Sequence, residues 1–110
     1  MGQLNLDVRS ICLDLGISQE DYKEIAQASI VDSRQEINQL ETALTLGDFQ
    51  TIKKITHRLK GTYGILNIKE MSTIAYQMDA IAETEQDKDK IAVHLKEFLR
   101  YLDQLQDFLR

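Results

Sequence analysis

An all-α fold, an antiparallel up-down four-helix bundle with a short N-terminal capping helix, is predicted by three features of the sequence. The chain has no proline and only five glycines among its 110 residues, so long unbroken helices are allowed and a turn-rich β fold is disfavoured. Apolar residues recur by threes and fours along nearly the whole length, which is the period of amphipathic helices. The breaks in that pattern are short, and short connections make neighbouring helices antiparallel. A chain of this length fits a single domain with one core, taken as residues 1–110.

The elements follow in order. Residues 3–15 place Leu4, Leu6, Val8, Ile11, Cys12 and Leu15 at helical spacing, which predicts the capping helix, ended by Gly16 in the left-handed conformation. Ser18 is the expected N-cap of the second helix, and Glu20 and Asp21 suit the positive end of its dipole. The inward face of that helix reads Tyr22, Ile25, Ala26, Ile30, Ser33, Ile37, Leu40 and Leu44. Ser29 and Ser33 soften its middle enough for a bend. Leu46-Gly47-Asp48 then supplies a stop, a left-handed residue and a new N-cap. The third helix is expected from Phe49 to about Leu66, with Asn67 suited to the left-handed turn beyond it. In the fourth, Met71, Ile74, Ala75, Met78, Ile81 and Ala82 face inward, and residues 84–89 form a polar connection. The last helix carries Ile91, Leu95, Phe98, Leu102, Leu105 and Leu109, alternately four and three apart. In so short a chain that seam packs on its own helices rather than on a second copy, so a monomer is expected. Tyr22, Tyr76 and Tyr101 are placed at the rim of the core.

The net charge of −5 is unevenly distributed. Between Asp48 and Lys69 the cations Lys53, Lys54, Arg58, Lys60 and Lys69 face a single carboxylate, so the remainder is strongly acidic. Such a chain is not a nucleic-acid binder, because phosphate-backbone affinity needs a broad cationic surface. One local cationic patch suits a compact anionic target, such as an acidic pocket or a phosphoryl group. No apolar run approaches the roughly 20 residues of a membrane span, and the first residues lack the pattern of a secretory signal, so no membrane partner is expected. A lone Cys12 cannot pair within the chain; it reads as a small packed side chain in a reducing compartment, and a cytoplasmic location is expected. There is no P-loop and no zinc-type Cys/His spacing, so neither cofactor nor metal is expected.

One stretch departs from ordinary helix composition. Thr56 to Asn67 reads T-H-R-L-K-G-T-Y-G-I-L-N. It puts Gly61 and Gly64 in a helix interior, where each costs about 1 kcal/mol relative to alanine. At about 100° per residue both glycines fall on the side of His57, with Lys53 and Lys60 there too and Lys54 at its edge. Ile52, Ile55, Leu59 and Leu66 point nearly the opposite way. An exposed imidazole among cations, beside a strip without side chains, marks a place where something large comes close. Neutral imidazole carries a nucleophilic lone pair, and its ordinary pKa near 6.5 leaves it largely neutral at neutral pH. His57 is therefore the candidate nucleophile toward a phosphoryl group held by another protein. Lys60, one turn away, is the candidate to meet the phosphate oxygens, while Lys53, Lys54 and Arg58 add to the field or dock the partner. His94 has no glycines around it and reads as a surface residue.

The run H-R-L-K-G-T-Y-G-I-L resembles the phosphoacceptor signature of histidine-containing phosphotransfer (HPt) domains, roughly H-x-L-K-G-S-(S/A)-x-x-L-G. Met71, Ala75, Met78 and Asp79 fall where that family has L-x-x-x-C-x-x-L-E, and A-L-T-L-G-D-F resembles the family's turn before the histidine helix. The resemblance covers most of the chain. It implies that His57 accepts a phosphoryl group from an aspartate of a response-regulator receiver domain and returns it to another, within a multistep two-component phosphorelay that includes a hybrid histidine kinase. It implies roles for Lys60 and Gly61, and it sets Thr62 where a hydroxyl residue is usual. Asp79 occupies a position whose longer Gln or Glu often hydrogen-bonds the other imidazole nitrogen and fixes the tautomer. Tyr63 stands for a small residue and Ala75 for a cysteine, both as packing exchanges. The implied activity is that of a phosphoryl carrier without kinase or phosphatase activity of its own. The alternative is an HPt-like interaction module that docks receiver or kinase domains without transfer, and a scaffold self-associating through the last helix is a third reading.

Overall fold

Side-chain oxygens and left-handed residues mark most of the helix ends. A computed structural model describes residues 2–110. They form α1 (Val8–Leu15), α2 (Gln19–Leu46), α3 (Phe49–Ile65), α4 (Lys69–Thr84) and α5 (Lys88–Phe108), with no strand among the described residues. Ser18 Oγ accepts from the Asp21 N–H at 3.0 Å, and the Asp48 carboxylate accepts from the Thr51 N–H at 3.2 Å. Each takes up a donor that no preceding turn can reach. Gly16, Gly47 and Asn67, as expected, have φ of 71°, 70° and 62°, a region with little steric penalty for glycine and asparagine only.

Two boundaries differ from the sequence expectation. The helix expected over residues 3–15 begins only at Val8, because Asp7 caps it by accepting from the Ser10 N–H at 3.1 Å. The residues before it are tied to α5 instead: Leu4 N–H donates to Gln104 Oε1 and Arg100 Nη1 donates to the Gly2 carbonyl, each at 2.6 Å. The polar connection expected over 84–89 shrinks to three residues, 85–87. Gln86 turns the chain with φ 50°, and Asp87 caps α5 by accepting from the N–H groups of Asp89 and Lys90.

The buried face of α2 is carried by Tyr22, Ala26, Ile30, Ser33, Ile37, Leu40 and Ala43. Ile25, expected inward, is 48% exposed, since a face centred on residues 22, 26 and 30 leaves 25 on its flank. The helix runs unbroken through Ser29 and Ser33, and Ser33 is not a weak point. Its hydroxyl meets the Tyr63 hydroxyl at 2.6 Å in the interior, so both polar groups are satisfied. Tyr22 is also fully buried rather than at the rim, because its hydroxyl donates to the Leu66 carbonyl at 2.7 Å, one of the orphan acceptors at the end of α3. Tyr76, in contrast, lies outside the core.

The helices pack in a closed ring, α2 on α3, α3 on α4, α4 on α5 and α5 on α2, with α1 resting on α2. Inside the ring, Tyr63 meets Phe98 edge to face, with centroids 5.5 Å apart and planes at 79°. The seam of α5, from Ile91 to Leu109, is buried throughout. Among the described residues no helix is long and apolar enough to cross a membrane.

Candidate functional site

The third helix divides sharply between its two faces. Ile52, Ile55, Thr56, Leu59 and Tyr63 are buried, and Thr56 reaches that environment by donating its hydroxyl back to the Ile52 carbonyl at 3.0 Å. Lys54, His57, Arg58, Gly61 and Gly64 lie on the exposed side. His57 is therefore held on the helix by core packing beneath it, with its ring in solvent.

Beside that ring is a hollow of about 420 Å³ lined by Gln50, Lys53, Lys54 and His57 of α3 and by Asp79 of α4. So three of the residues singled out from the sequence, Lys53, Lys54 and Asp79, come together with His57. Lys53 also forms an ion pair with Glu83, one turn beyond Asp79 on α4. That hydrogen bond, with the charges of Glu83 and Asp79, holds the Lys53 ammonium above its ordinary pKa. No hydrogen bond joins Asp79 to the imidazole among the described residues.

The remaining candidates are distributed elsewhere. Lys60 places its ammonium 5.5 Å from the centroid of the Tyr76 ring, and it does not line the hollow. Arg58 pairs with Glu36 on α2 at 3.1 Å. With Thr62, Ser29 and Asp32 these two border a separate depression between α2 and α3. Partial burial pushes the Glu36 carboxyl above the usual range, Arg58 draws it back, and Asp32 adds to the rise. Gly64 borders a third depression with Asn67 and Ser72, at the α3–α4 turn. Helical rotation thus carries Arg58 and Thr62 toward α2, away from the hollow at His57.

Two members of the His57 surroundings escaped sequence reading. Gln50 lies two turns before His57 on the same helical face, a signal present in the sequence but hidden by the position's ordinary residue type. Glu83 is legible only once α4 lies against α3. His94, the other histidine, is half-buried and its Nδ1 meets the Lys90 carbonyl of its own helix at 2.8 Å. Among the described residues no group of three or more His, Cys, Asp or Glu side chains could hold a metal ion.

The family model described as Hpt domain matches residues 15–108. The chain belongs to the Hpt domain family. Hpt domains serve histidine phosphotransfer in phosphorelays, acting as phosphocarriers that interact with receiver domains and histidine kinases. The match runs from the end of α1 to the end of α5, and so contains the whole ring of four helices and the hollow at His57. Comparison with curated proteins and with solved structures finds no match.

Proposed function

We propose that His57 is the phosphoacceptor of this Hpt domain, taking a phosphoryl group from a receiver-domain aspartate and passing it to a second receiver. The observation that carries this reading is an imidazole exposed on a helix whose adjoining residues, Gly61 and Gly64, leave no side chain in the way. In the forward step an imidazole lone pair forms a P–N bond as the P–O bond to the aspartate breaks and the carboxylate leaves; the return step reverses both. Such a transfer asks mainly for in-line placement and charge compensation. The receiver brings its acidic pocket and Mg²⁺, and this chain brings the nucleophile and nearby cations, with no kinase activity of its own.

Lys53 and Lys54 supply positive charge at the hollow. Lys60, outside the hollow, docks the partner, and Arg58, paired with Glu36 toward α2 beside Thr62, stands at the margin of that contact. Asp79 is the carboxylate that shares the hollow with the ring, and it orients the imidazole by accepting from its other N–H, directly or through a water. We read the scaffold as one domain, residues 1–110, built as an antiparallel up-down bundle of α2 to α5 with α1 as its cap. Tyr22 meets Leu66 while Glu36 meets Arg58, and Gln27 meets Leu109 while Arg34 meets Asp103. Such pairings suit neighbours running in opposite senses.

The test is transfer from a phosphorylated receiver domain. Acid-labile, base-stable label is expected on the wild type and absent from His57→Gln. Label that persists in His57→Gln, or none with any cognate receiver, rejects the assignment. Receiver binding that is unaffected by His57→Ala, without label on the wild type, would instead favour the docking module.

A further inference from the structure

Asp79 and Glu83 stand one turn apart on α4, both toward α3, and like charges at that spacing repel. One cation lies between them. Lys53 lines the hollow with Asp79 and His57, yet its ammonium pairs with Glu83. The charge of Asp79 also reaches that ammonium. Asp79 itself takes part in no ion pair among the described residues.

The Lys53–Glu83 pair is open to solvent at both ends, with side chains 40% and 59% exposed, so it adds little to stability. What it changes is where the ammonium rests. Of the charged groups facing the hollow, α3 supplies Lys53 and Lys54, and α4 supplies Asp79 with Glu83 one turn on. Lys54 lies in the field of Asp48, at the start of α3. On the other flank Arg58 is held by Glu36 of α2, and among the described residues none of α5 lines the hollow. Lys53 is therefore the cation best placed to cover the Asp79 carboxylate, and Glu83 holds it off. An uncovered carboxylate can accept from an imidazole N–H and fix which ring nitrogen keeps the proton. The other nitrogen then carries the lone pair.

Resting on the assignment of His57, with Asp79 as its orienting carboxylate, we infer that Glu83 is a further positioning residue, which engages Lys53 and so keeps Asp79 free for the imidazole. The lone pair of His57 then stays on the nitrogen that meets the partner. Without Glu83 the Lys53 ammonium turns to Asp79, and the ring loses its orienting acceptor. Glu83 touches neither the ring nor the phosphoryl group; it acts through Lys53 and Asp79.

The experiment needs no receiver and no phosphoryl group. In the full chain with His94→Gln, the His57 ring is observed by 15N NMR at a pH where imidazole is neutral. The shifts of its two nitrogens give the tautomer ratio. Asp79→Ala removes the orienting acceptor and sets the direction of change. Glu83→Gln is expected to move the ratio the same way, by about twofold or more. Adding Lys53→Met to Glu83→Gln is expected to return the ratio to its starting value, since no ammonium is left there to cover Asp79. A merely structural role for the ion pair predicts no such rescue, because the double variant lacks the pair altogether. A ratio unmoved in Asp79→Ala or in Glu83→Gln, or one that Lys53→Met does not restore, overturns the proposal. Lys53 and Glu83 are on the surface, so their variants do not put the fold at risk. Failure of label to pass from a phosphorylated receiver would count against the His57 assignment and leave this ratio readable, so the two failures are distinct.

Discussion

A Cβ added to Gly61 would meet nothing within 4 Å, and one added to Gly64 would sit at ordinary contact distance, 3.6 Å, from Ser72 Oγ. Packing within the chain therefore does not require either glycine, and both have ordinary helical φ. Gly61→Ala is expected to stabilise the protein by about 0.5–1 kcal/mol, because alanine lowers the entropy of the unfolded chain at a site it can occupy without strain. The same variant should transfer phosphate more slowly with its receiver, since the new methyl lies where the partner approaches. Urea denaturation and the transfer assay check the two halves, and a variant that is no more stable contradicts the argument. Deeper in, burial pushes the hydroxyls of Tyr22 and Tyr63 from 10.0 to about 12. Between those values the folded chain holds protons that the unfolded chain has released, so stability is intact below pH 10.0 and falls as pH rises toward about 12. Tyr63→Phe should make that alkaline fall shallower in urea midpoints measured across the range. The exposure of His57 could be read from helical periodicity alone. The engagement of Lys60 with Tyr76 could not, since it depends on how α4 lies against α3.

The start of α3 rests on Asp48, which accepts from both the N–H and the hydroxyl of Thr51. The side-chain hydrogen bond, then the backbone one, hold its carboxyl below the ordinary value of 3.8. A carboxylate depressed in this way contributes stability above its unfolded pKa and loses it as pH falls through the lower folded value. Asp48→Ala should therefore be less stable than wild type at neutral pH, with the gap closing below pH 3.8; a gap independent of pH would show that the charge is not involved. Most element ends were legible because capping is local chemistry: Ser18, Gly16, Gly47, Asp48 and Asn67 act on groups within four residues. The start of α1 was not. Leu4 and Leu6 have helical spacing, yet Leu4 itself bonds to Gln104 and Gly2 to Arg100, and residues so distant cannot enter a local pattern.

Over the whole molecule, the apolar seam of α5 is spent inside the ring, with Ile91, Phe98, Leu102 and Leu105 all fully covered. Without that face a second copy gains little from pairing, so sedimentation over a wide concentration range should give one species near 12.7 kDa; a mass rising with concentration would return the self-associating scaffold to consideration. Sequence alone determined the helical class, the sequence positions of most caps, the family resemblance, and the face on which His57, Gly61 and Gly64 sit. Each of these follows from residue type and from a period of about 3.6 residues, both of which act over a few neighbours. Tertiary structure alone decided which cations share space with the histidine. The antagonists of Lys53, Lys60 and Arg58 stand on other helices and engage them only once α2 and α4 pack against α3, whereas the carboxylate nearest Lys54 in charge, Asp48, belongs to the same stretch of chain.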